Sequence, residues 1–269
     1  MVERMGVASS ETWLHRLADS LGPTDHLQRV GQSVWRVTAG GRRLVVKTGA
    51  GVADEAEGLR LLAQVDGAPS VPEVVLSDPD ALVTEWVEPA EPTPAHHVAL
   101  GRRLATLHSA PWSQWGGGSS WIGGCPVDPS VAPDATAFYG RRLLDLATRC
   151  GLERSVAPLV ARLADIVPAC RPALVHGDLW WGNVLWGTGD VAWLIDPSVH
   201  GGHPEEDLAM LGLFGAVPER VLSAYGEVRP LEDGWADRVE VFRLIPLLVH
   251  TVLFGGGYRQ QAEAILRVF

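Results

Sequence analysis

One short stretch of this chain carries side chains whose types and spacing suit phosphoryl transfer. His176, Asp178 and Asn183 follow the pattern H-x-D-x-x-x-x-N. A further acid, Asp196, comes directly after the apolar run 191–195. Phosphoryl transfer needs a carboxylate that accepts the proton of the attacking hydroxyl, and oxygen ligands that hold Mg²⁺ on the phosphates. We therefore predict that Asp178 is the base and that Asn183 and Asp196 are the metal ligands.

Apolar runs on both sides of these polar residues indicate how the chain positions them. The runs 173–175, 184–186 and 191–195 are short and are separated by polar residues and glycine, which is typical of buried strands joined by loops. The turn 187–190 joins the last two runs into a hairpin, which brings Asn183 and Asp196 together. We assign His176 a structural role, bracing the loop.

A lysine and a glutamate upstream are predicted to bind the phosphates of a nucleotide. Lys47 ends the strand-like run Val45-Val46-Lys47, and the helical pattern 53–63 that follows carries Glu55 and Glu57. We predict that Glu55 pairs with Lys47, with Glu57 as the alternative. Ser33, beside Gly31 in the turn between the first two strands, is expected to cover the phosphates with backbone amides.

The residues around 85–87 are predicted to hold the adenine base at the junction of two lobes. Backbone groups of Glu85 and Val87 would read its edge, and Leu185 and Ile195 would form an apolar floor under it. The Pro-rich segment 88–94 that follows marks a boundary. We therefore expect a nucleotide-binding lobe at 1–87 and a catalytic and substrate lobe at 88–269.

The two lobes differ in their predicted secondary structure, which favours an α+β fold. The first has a helix at 11–21 and strands at 27–30, 34–37, 44–47, 71–76 and 81–87, typical of a small antiparallel sheet. The second is mainly helical. Its helices are predicted at 98–108, 135–152, 155–166, 204–210, 218–225, 236–255 and 258–268, with a loop at 111–131. Asp207 either caps its helix or holds the catalytic loop, and we favour the loop.

Several motifs resemble the fructosamine kinase family, within the aminoglycoside phosphotransferase branch of the protein-kinase-like fold. They are His176-Gly-Asp-Leu-Trp-x-Gly-Asn-Val, Leu194-Ile-Asp-Pro, Gly202-His203-x-Glu-x-Asp207 and Phe254-Gly-Gly-Gly-Tyr258. The resemblance runs from about Gly31 to the C-terminus. Trp181, where the family usually has a small residue, and an abbreviated Gly-rich loop depart from it. It implies a two-lobed kinase that uses ATP and Mg²⁺ to phosphorylate a fructosamine or ribulosamine, free or as a glycated lysine, in protein deglycation.

Trp180, two residues after the predicted base, is the candidate substrate-binding residue. Its flat face could stack on a sugar or hold a cationic amine. The alternative is a core role, since the chain contains 11 tryptophans.

Composition and charge narrow the class of protein further. A formal net charge of −10 disfavours a nucleic-acid partner, and 46% hydrophobic residues suffice for a core. The three cysteines form no CxxC pair and no even disulfide set, which favours a reducing compartment. With no signal-peptide pattern and no apolar run long enough for a bilayer, we expect a cytoplasmic monomer without membrane contact.

Three alternatives remain open. The nearest is a kinase for another small alcohol, such as an aminoglycoside or a choline-like compound. A metal-dependent hydrolase could use His176, Asp178, Asp196, His200 and His203, but it would give Lys47 and Asn183 no purpose. A pseudokinase would bind nucleotide without turnover.

Overall fold

The first part of the chain forms an antiparallel sheet with the strand order β1-β2-β3-β5-β4. The structure is a computed structural model that describes residue 13, residues 15 and 16, and residues 18–269. Helix α1 (Val52–Ala63) connects β3 to β4 and packs against β4 and β5. The strands are β1 (Thr24–Arg29), β2 (Val34–Ala39), β3 (Arg42–Thr48), β4 (Val74–Ser77) and β5 (Ala81–Glu85).

Strand β3 shows how the sheet separates its core from its functional face. Successive side chains of a strand point to opposite faces. Leu44 and Val46 are fully buried in the core of the small lobe, whereas Val45 and Lys47 line a cavity on the other face. The apolar residues of one face therefore fix the direction in which the lysine points.

The predicted helix at 11–21 lies partly outside the described residues. Those of its residues that are described, 13, 15, 16 and 18–21, are helical. Trp13 is buried in the small-lobe core, where its ring lies 5.7 Å from that of Trp35.

The rest of the chain is mainly helical, as predicted, with two differences in the helices. Helix α2 begins at Pro94 rather than at residue 98, because Thr93 and His96 form a reciprocal capping box that starts it earlier. The single helix predicted at 155–166 is wrong: the chain breaks at Arg162, whose φ and ψ are −110° and 2°. The helices are α2 (Pro94–Ser109), α3 (Ala135–Cys150), α4 (Glu153–Ala161), α5 (Leu163–Ile166), α6 (Pro204–Leu211), α7 (Glu219–Val228), α8 (Trp235–Phe254) and α9 (Gly257–Leu266).

Three short antiparallel pairs lie among these helices. Strands β9 (Val184–Gly187) and β10 (Val191–Leu194) form the predicted hairpin. Strand β8 (Ala173–Val175) pairs with β11 (His200–Gly202), a strand that the sequence did not predict. Within the predicted loop at 111–131, β6 (Trp121–Ile122) pairs with β7 (Cys125–Pro126), so this segment is not wholly irregular.

The α+β prediction, with a small antiparallel sheet and a larger helical part, is confirmed. The sheet ends at Glu85 and α2 begins at Pro94, and the lobe boundary at residue 87 stays a prediction. Across the described part of the chain, none of the helices combines the length and apolar character needed to span a bilayer.

Candidate active site

A cavity of about 460 Å³ lies between the small sheet and the β9–β10 hairpin. Most of its lining is apolar, and Lys47, Glu55 and Asp196 supply charge at one side. Leu185 and Ile195, predicted to lie under adenine, both line it, as do Glu85 and Val87. An apolar cleft with charged groups at one end suits a nucleoside with a polyphosphate tail.

A second cavity of about 520 Å³ adjoins the first and shares Lys47, Glu55 and Asp196 with it. Ser33 lines this second cavity and not the first. Its other walls include Trp121, Gly123 and Gly124 of the β6–β7 hairpin. The shared charged groups therefore stand where the two cavities meet.

Lys47 contacts two carboxylates at this junction. Its Nζ donates to Glu55 Oε1 at 2.7 Å and also to Asp196 Oδ1. Glu57, the alternative partner, is exposed and lies 3.9 Å from Arg60. Burial alone would lower the pKa of Lys47, but the two carboxylates outweigh it and raise this pKa. Burial, together with Asp196, raises the pKa of Glu55 to about 7 against the pull of Lys47.

His176 ties the catalytic loop to the segment that carries Asp196. Its Nε2 lies 3.0 Å from the carbonyl oxygen of Ile195, and its Nδ1 accepts the backbone N–H of Asp178 at 3.3 Å. A carbonyl can only accept, so Nε2 carries a proton. Nδ1 accepts an N–H and therefore carries none, which makes the ring neutral. Burial lowers the pKa of His176, which maintains that neutral form.

Asp207 holds the same loop through hydrogen bonds to its backbone. Its carboxylate accepts the backbone N–H of His176 at 2.7 Å and of Gly177 at 2.9 Å, and it bonds to His108 Nε2 at 3.0 Å. Burial alone would raise the pKa of Asp207, but the hydrogen bond from His108 and the His176 amide outweigh it and lower this pKa. The helix cap is His203, whose side chain accepts the N–H of Glu205. The contacts of Asp207 thus fit the predicted loop support.

Asn183 is buried beside Asp178, and a hydrogen bond fixes the orientation of its side-chain amide. Its Nδ2 donates to the backbone carbonyl of Asp178 at 2.7 Å, which leaves Oδ1 free to bind a cation. Burial raises the pKa of Asp178 to about 7, and the negative charges of Asp196 and Asp207 add to this effect. A carboxylate with this pKa can both accept and release a proton near neutral pH.

Backbone conformation at two positions shapes the loop. Asp196 has φ 56°, a left-handed conformation that aspartate tolerates better than most residues. Gly177 has φ 78°, and a Cβ there would lie 2.2 Å from the carbonyl oxygen of Ser198. A side chain at residue 177 would therefore push the loop away from β11 and displace Asp178.

We expect kcat/KM for MgATP, measured at saturating acceptor, to fall as the pH drops below about 7. This parameter reports the free enzyme, in which burial raises the pKa of Asp178 to about 7, and the predicted base must be charged to accept a proton. The logarithm of kcat/KM should therefore fall at low pH with a slope of about one. Melting temperatures across the same range serve as the control for unfolding. A flat profile between pH 6 and 8 would contradict these assignments.

Trp180 lies at the surface and not in the core, with 38% of its area exposed. Gly182 makes this possible, because a Cβ there would lie 2.2 Å from the Trp180 ring. A Cβ at Gly123 would lie 4.0 Å from Asp178 Oδ2, so the β6–β7 hairpin also reaches the predicted base.

Residues 85–87, at the predicted junction of the two lobes, leave one backbone N–H for a ligand. The N–H of Glu85 bonds to Glu73, and the N–H of Trp86 bonds to Arg43. Within residues 18–269, the Val87 N–H has no acceptor. The Val87 amide therefore stays the predicted partner for an acceptor atom on the adenine edge.

The sequence did not predict several wall residues of the first cavity, among them Thr84 and Trp186. The period of two along β5 could have found Thr84, since it alternates with Ala81 and Val83, which are buried in the small-lobe core on the other face. The contact of His108 with Asp207 was also not predicted.

The hydrolase alternative finds no metal centre in this arrangement. The described part of the chain contains no group of three or more His, Cys, Asp or Glu side chains able to hold an ion. His200 bonds to the carbonyl of Ser198 and to Glu206, and His203 stacks on Phe242. Burial lowers the pKa of His203 to about 3.

Comparison with known proteins agrees with this geometry. The family model for fructosamine kinase matches residues 32–269. A Thermus thermophilus protein described as a probable ketoamine kinase is 34% identical over 84% of this chain and 85% of its own. A solved structure from Thermobifida fusca, described as a fructosamine-3-kinase, is 36% identical with a TM-score of 0.87, covering 94% of this chain and 96% of that one. An aminoglycoside-3′-phosphotransferase of type VIII is 26% identical with a TM-score of 0.57, covering 83% and 93%.

The fold is therefore the protein-kinase-like fold in its aminoglycoside phosphotransferase branch, and the protein is an ATP-dependent phosphotransferase that acts on an alcohol. Within that branch, the chain belongs to the fructosamine kinase family. The resemblance predicted from the motifs is confirmed, and the individual roles of the site residues stay predictions.

Proposed function

We propose that this kinase transfers the γ-phosphoryl group of ATP to a sugar hydroxyl of a fructosamine or ribulosamine. The main support is the position of Asp178, which lies near Gly123 of the β6–β7 hairpin, two residues before the exposed Trp180, and close enough to Asp196 for that charge to raise its pKa. The family and its relatives' names support the substrate class. Removal of glycation from proteins would be one use of this reaction.

In this proposal the nucleotide occupies the first cavity and its phosphates extend to the junction. The Val87 N–H reads the adenine edge, and Leu185 and Ile195 pack on the ring. Lys47, held by Glu55, contacts the phosphates. Asn183 Oδ1 and the carboxylate of Asp196 are oxygen donors of the kind that Mg²⁺ prefers, and they would hold it. Bound there, the ion would neutralise charge on the phosphates.

The chemical step would be a direct displacement. Asp178 accepts the proton of the sugar hydroxyl while the oxygen of that hydroxyl forms a bond to the γ-phosphorus. The bond from that phosphorus to the bridging oxygen of ADP breaks, which leaves ADP and a phosphomonoester. The rate gain comes mainly from positioning and charge complementarity.

Mass spectrometry of fructosyl-lysine and ribulosyl-lysine after incubation with enzyme and MgATP tests this proposal. We expect the mass of one phosphoryl group to be added, with release of ADP in equal amount. Reactions without ATP and with the Asp178→Asn variant are the controls. Phosphorylation of choline or an aminoglycoside, with none of either sugar-amine, would overturn the proposal.

Replacing Trp180 by alanine should raise the KM for the sugar-amine about tenfold and leave the KM for MgATP within about twofold. A stacked aromatic contributes on this scale to a sugar or a cation that it covers. Trp235→Ala, which removes a half-buried tryptophan at the start of α8, is the matched control. Equal increases in both KM values would instead indicate that Trp180 supports the fold.

A further inference from the structure

Phe214, His250, Phe254 and Tyr258 form an aromatic surface beside Trp180, which we call the aromatic shelf. The ring of Phe214 lies 5.7 Å from Trp180 and 5.3 Å from His250. The ring of Tyr258 lies 4.9 Å from His250 and 6.2 Å from Phe254. Phe214 is 45% exposed and Phe254 is 68% exposed. The shelf is therefore a continuous aromatic patch that faces solvent.

The chain builds this shelf from three separate places. His250 and Phe254 lie one turn apart near the end of α8, and Tyr258 stands in the first turn of α9. Phe214 comes from the connection after α6. Scattered exposed apolar residues need no explanation, but a contiguous patch is typical of a surface that binds something.

The shelf continues the acceptor side of the candidate active site. Trp180 joins it to the catalytic loop two residues after Asp178. Leu253, the residue before Phe254, is 37% exposed and lies 3.8 Å from where a Cβ of Gly124 would stand. A Cβ of Gly123, the residue before Gly124, would lie 4.0 Å from Asp178 Oδ2. A molecule with its hydroxyl at Asp178 would therefore extend its far end onto the shelf.

The shelf offers a particular chemistry. Nδ1 of His250 donates to the carbonyl of Pro246 at 2.7 Å, so the neutral form of the ring presents Nε2 as a hydrogen-bond acceptor. Aromatic faces attract cations and pack against flat apolar groups. The chain's net charge of −10 also favours a cationic ligand. The preferred ligand thus combines an amine N–H with an apolar or aromatic substituent.

We propose that the aromatic shelf binds the amine substituent of the acceptor, and that the enzyme favours sugar-amines whose amine carries an aromatic or extended apolar group. This proposal rests on the proposed function and goes beyond it by naming the substituent. The sugar lies at Trp180 and Asp178, and the substituent covers Phe214 and Phe254.

The test compares 1-deoxy-1-amino-fructose derivatives of methylamine and of phenethylamine. For the wild type we expect kcat/KM to be about tenfold higher for the phenethylamine compound, a scale that aromatic contacts can supply. Phe254→Ala should reduce this preference about fivefold, with kcat/KM for the methylamine compound within about twofold. Phe214→Ala should reduce the preference by a similar factor and, because Phe214 contacts Trp180, should also lower kcat/KM for the methylamine compound. Leu144→Ala, which truncates an exposed leucine on α3, is the matched control. A wild-type ratio near one, or a ratio unchanged in both variants, would overturn the proposal.

Calorimetric binding of the same two compounds in the presence of MgADP separates this proposal from the proposed function. Tighter binding of the phenethylamine compound that depends on Phe254, without turnover of either compound, would remove the proposed function and keep the shelf. Turnover of both compounds with equal kcat/KM would keep the proposed function and overturn the proposal for the shelf. Sedimentation velocity supplies a third outcome: a dimer that Phe254→Ala dissociates would assign the shelf to a second copy of the chain and overturn the proposal.

Discussion

Replacing Asp178 by asparagine is expected to lower kcat about 1,000-fold while MgATP still binds. The amide is nearly isosteric but cannot accept the hydroxyl proton, and general bases contribute on this scale. Steady-state kinetics give the rate, and calorimetric titration gives the nucleotide affinity. An active variant would remove Asp178 as the base. A matched loss of MgATP affinity would place the defect in the nucleotide site instead.

The same substitution should raise the melting temperature by a few degrees at pH 8. Because burial raises the pKa of Asp178 to about 7, its charged form is less stable in the folded protein than in the unfolded chain. The cost is absent below the unfolded pKa of about 4, grows as the pH rises towards 7, and is complete above it. Asparagine never carries this charge. The difference in melting temperature should therefore grow from pH 4 to pH 7 and then stay constant.

Replacing Asp196 by alanine is expected to abolish the dependence of nucleotide binding on magnesium. In the wild type, Mg²⁺ should strengthen ATP binding through Asn183 and Asp196, and removal of one oxygen ligand should weaken MgATP at least about tenfold. Lys47 keeps its bond to Glu55, so binding of ATP in EDTA should change by less than about threefold. Titration of ATP with and without Mg²⁺ measures both affinities.

A carboxylate remote from the site provides the control for this variant. Asp165→Ala removes an exposed acid in the first turn of α5, with the same change of net charge. It should leave the magnesium dependence unchanged, which separates ligand loss from a general effect of charge. If Asp196→Ala shows a normal magnesium titration, Asp196 is not a metal ligand.

Periodicity and short motifs in the sequence were enough to predict much of the fold and of the candidate site. The apolar run that ends at Lys47 predicted β3, and the alternation of faces along that strand directs Lys47 away from the core formed by Leu44 and Val46. The H-x-D-x-x-x-x-N spacing and the acid at Asp196 likewise predicted one site, because a hairpin with a short turn has little freedom in its register.

The features that the sequence did not predict depend on packing between segments that are distant in the chain. Glu55 and Glu57 lie two residues apart on one helix, and only the docking of α1 against the sheet directs Glu55 to Lys47. Ser33 lines the second cavity, since the β6–β7 hairpin faces it there. The break at Arg162 also escaped the helical pattern, which continues across it.

The amino-acid sequence by itself determined the kind of chemistry and the family, because these depend on residue types at short spacing. Only the tertiary structure decided which glutamate meets the lysine, that Trp180 is exposed, and that an aromatic shelf adjoins it. Such contacts join residues far apart in the chain, and no local pattern encodes the distance between them.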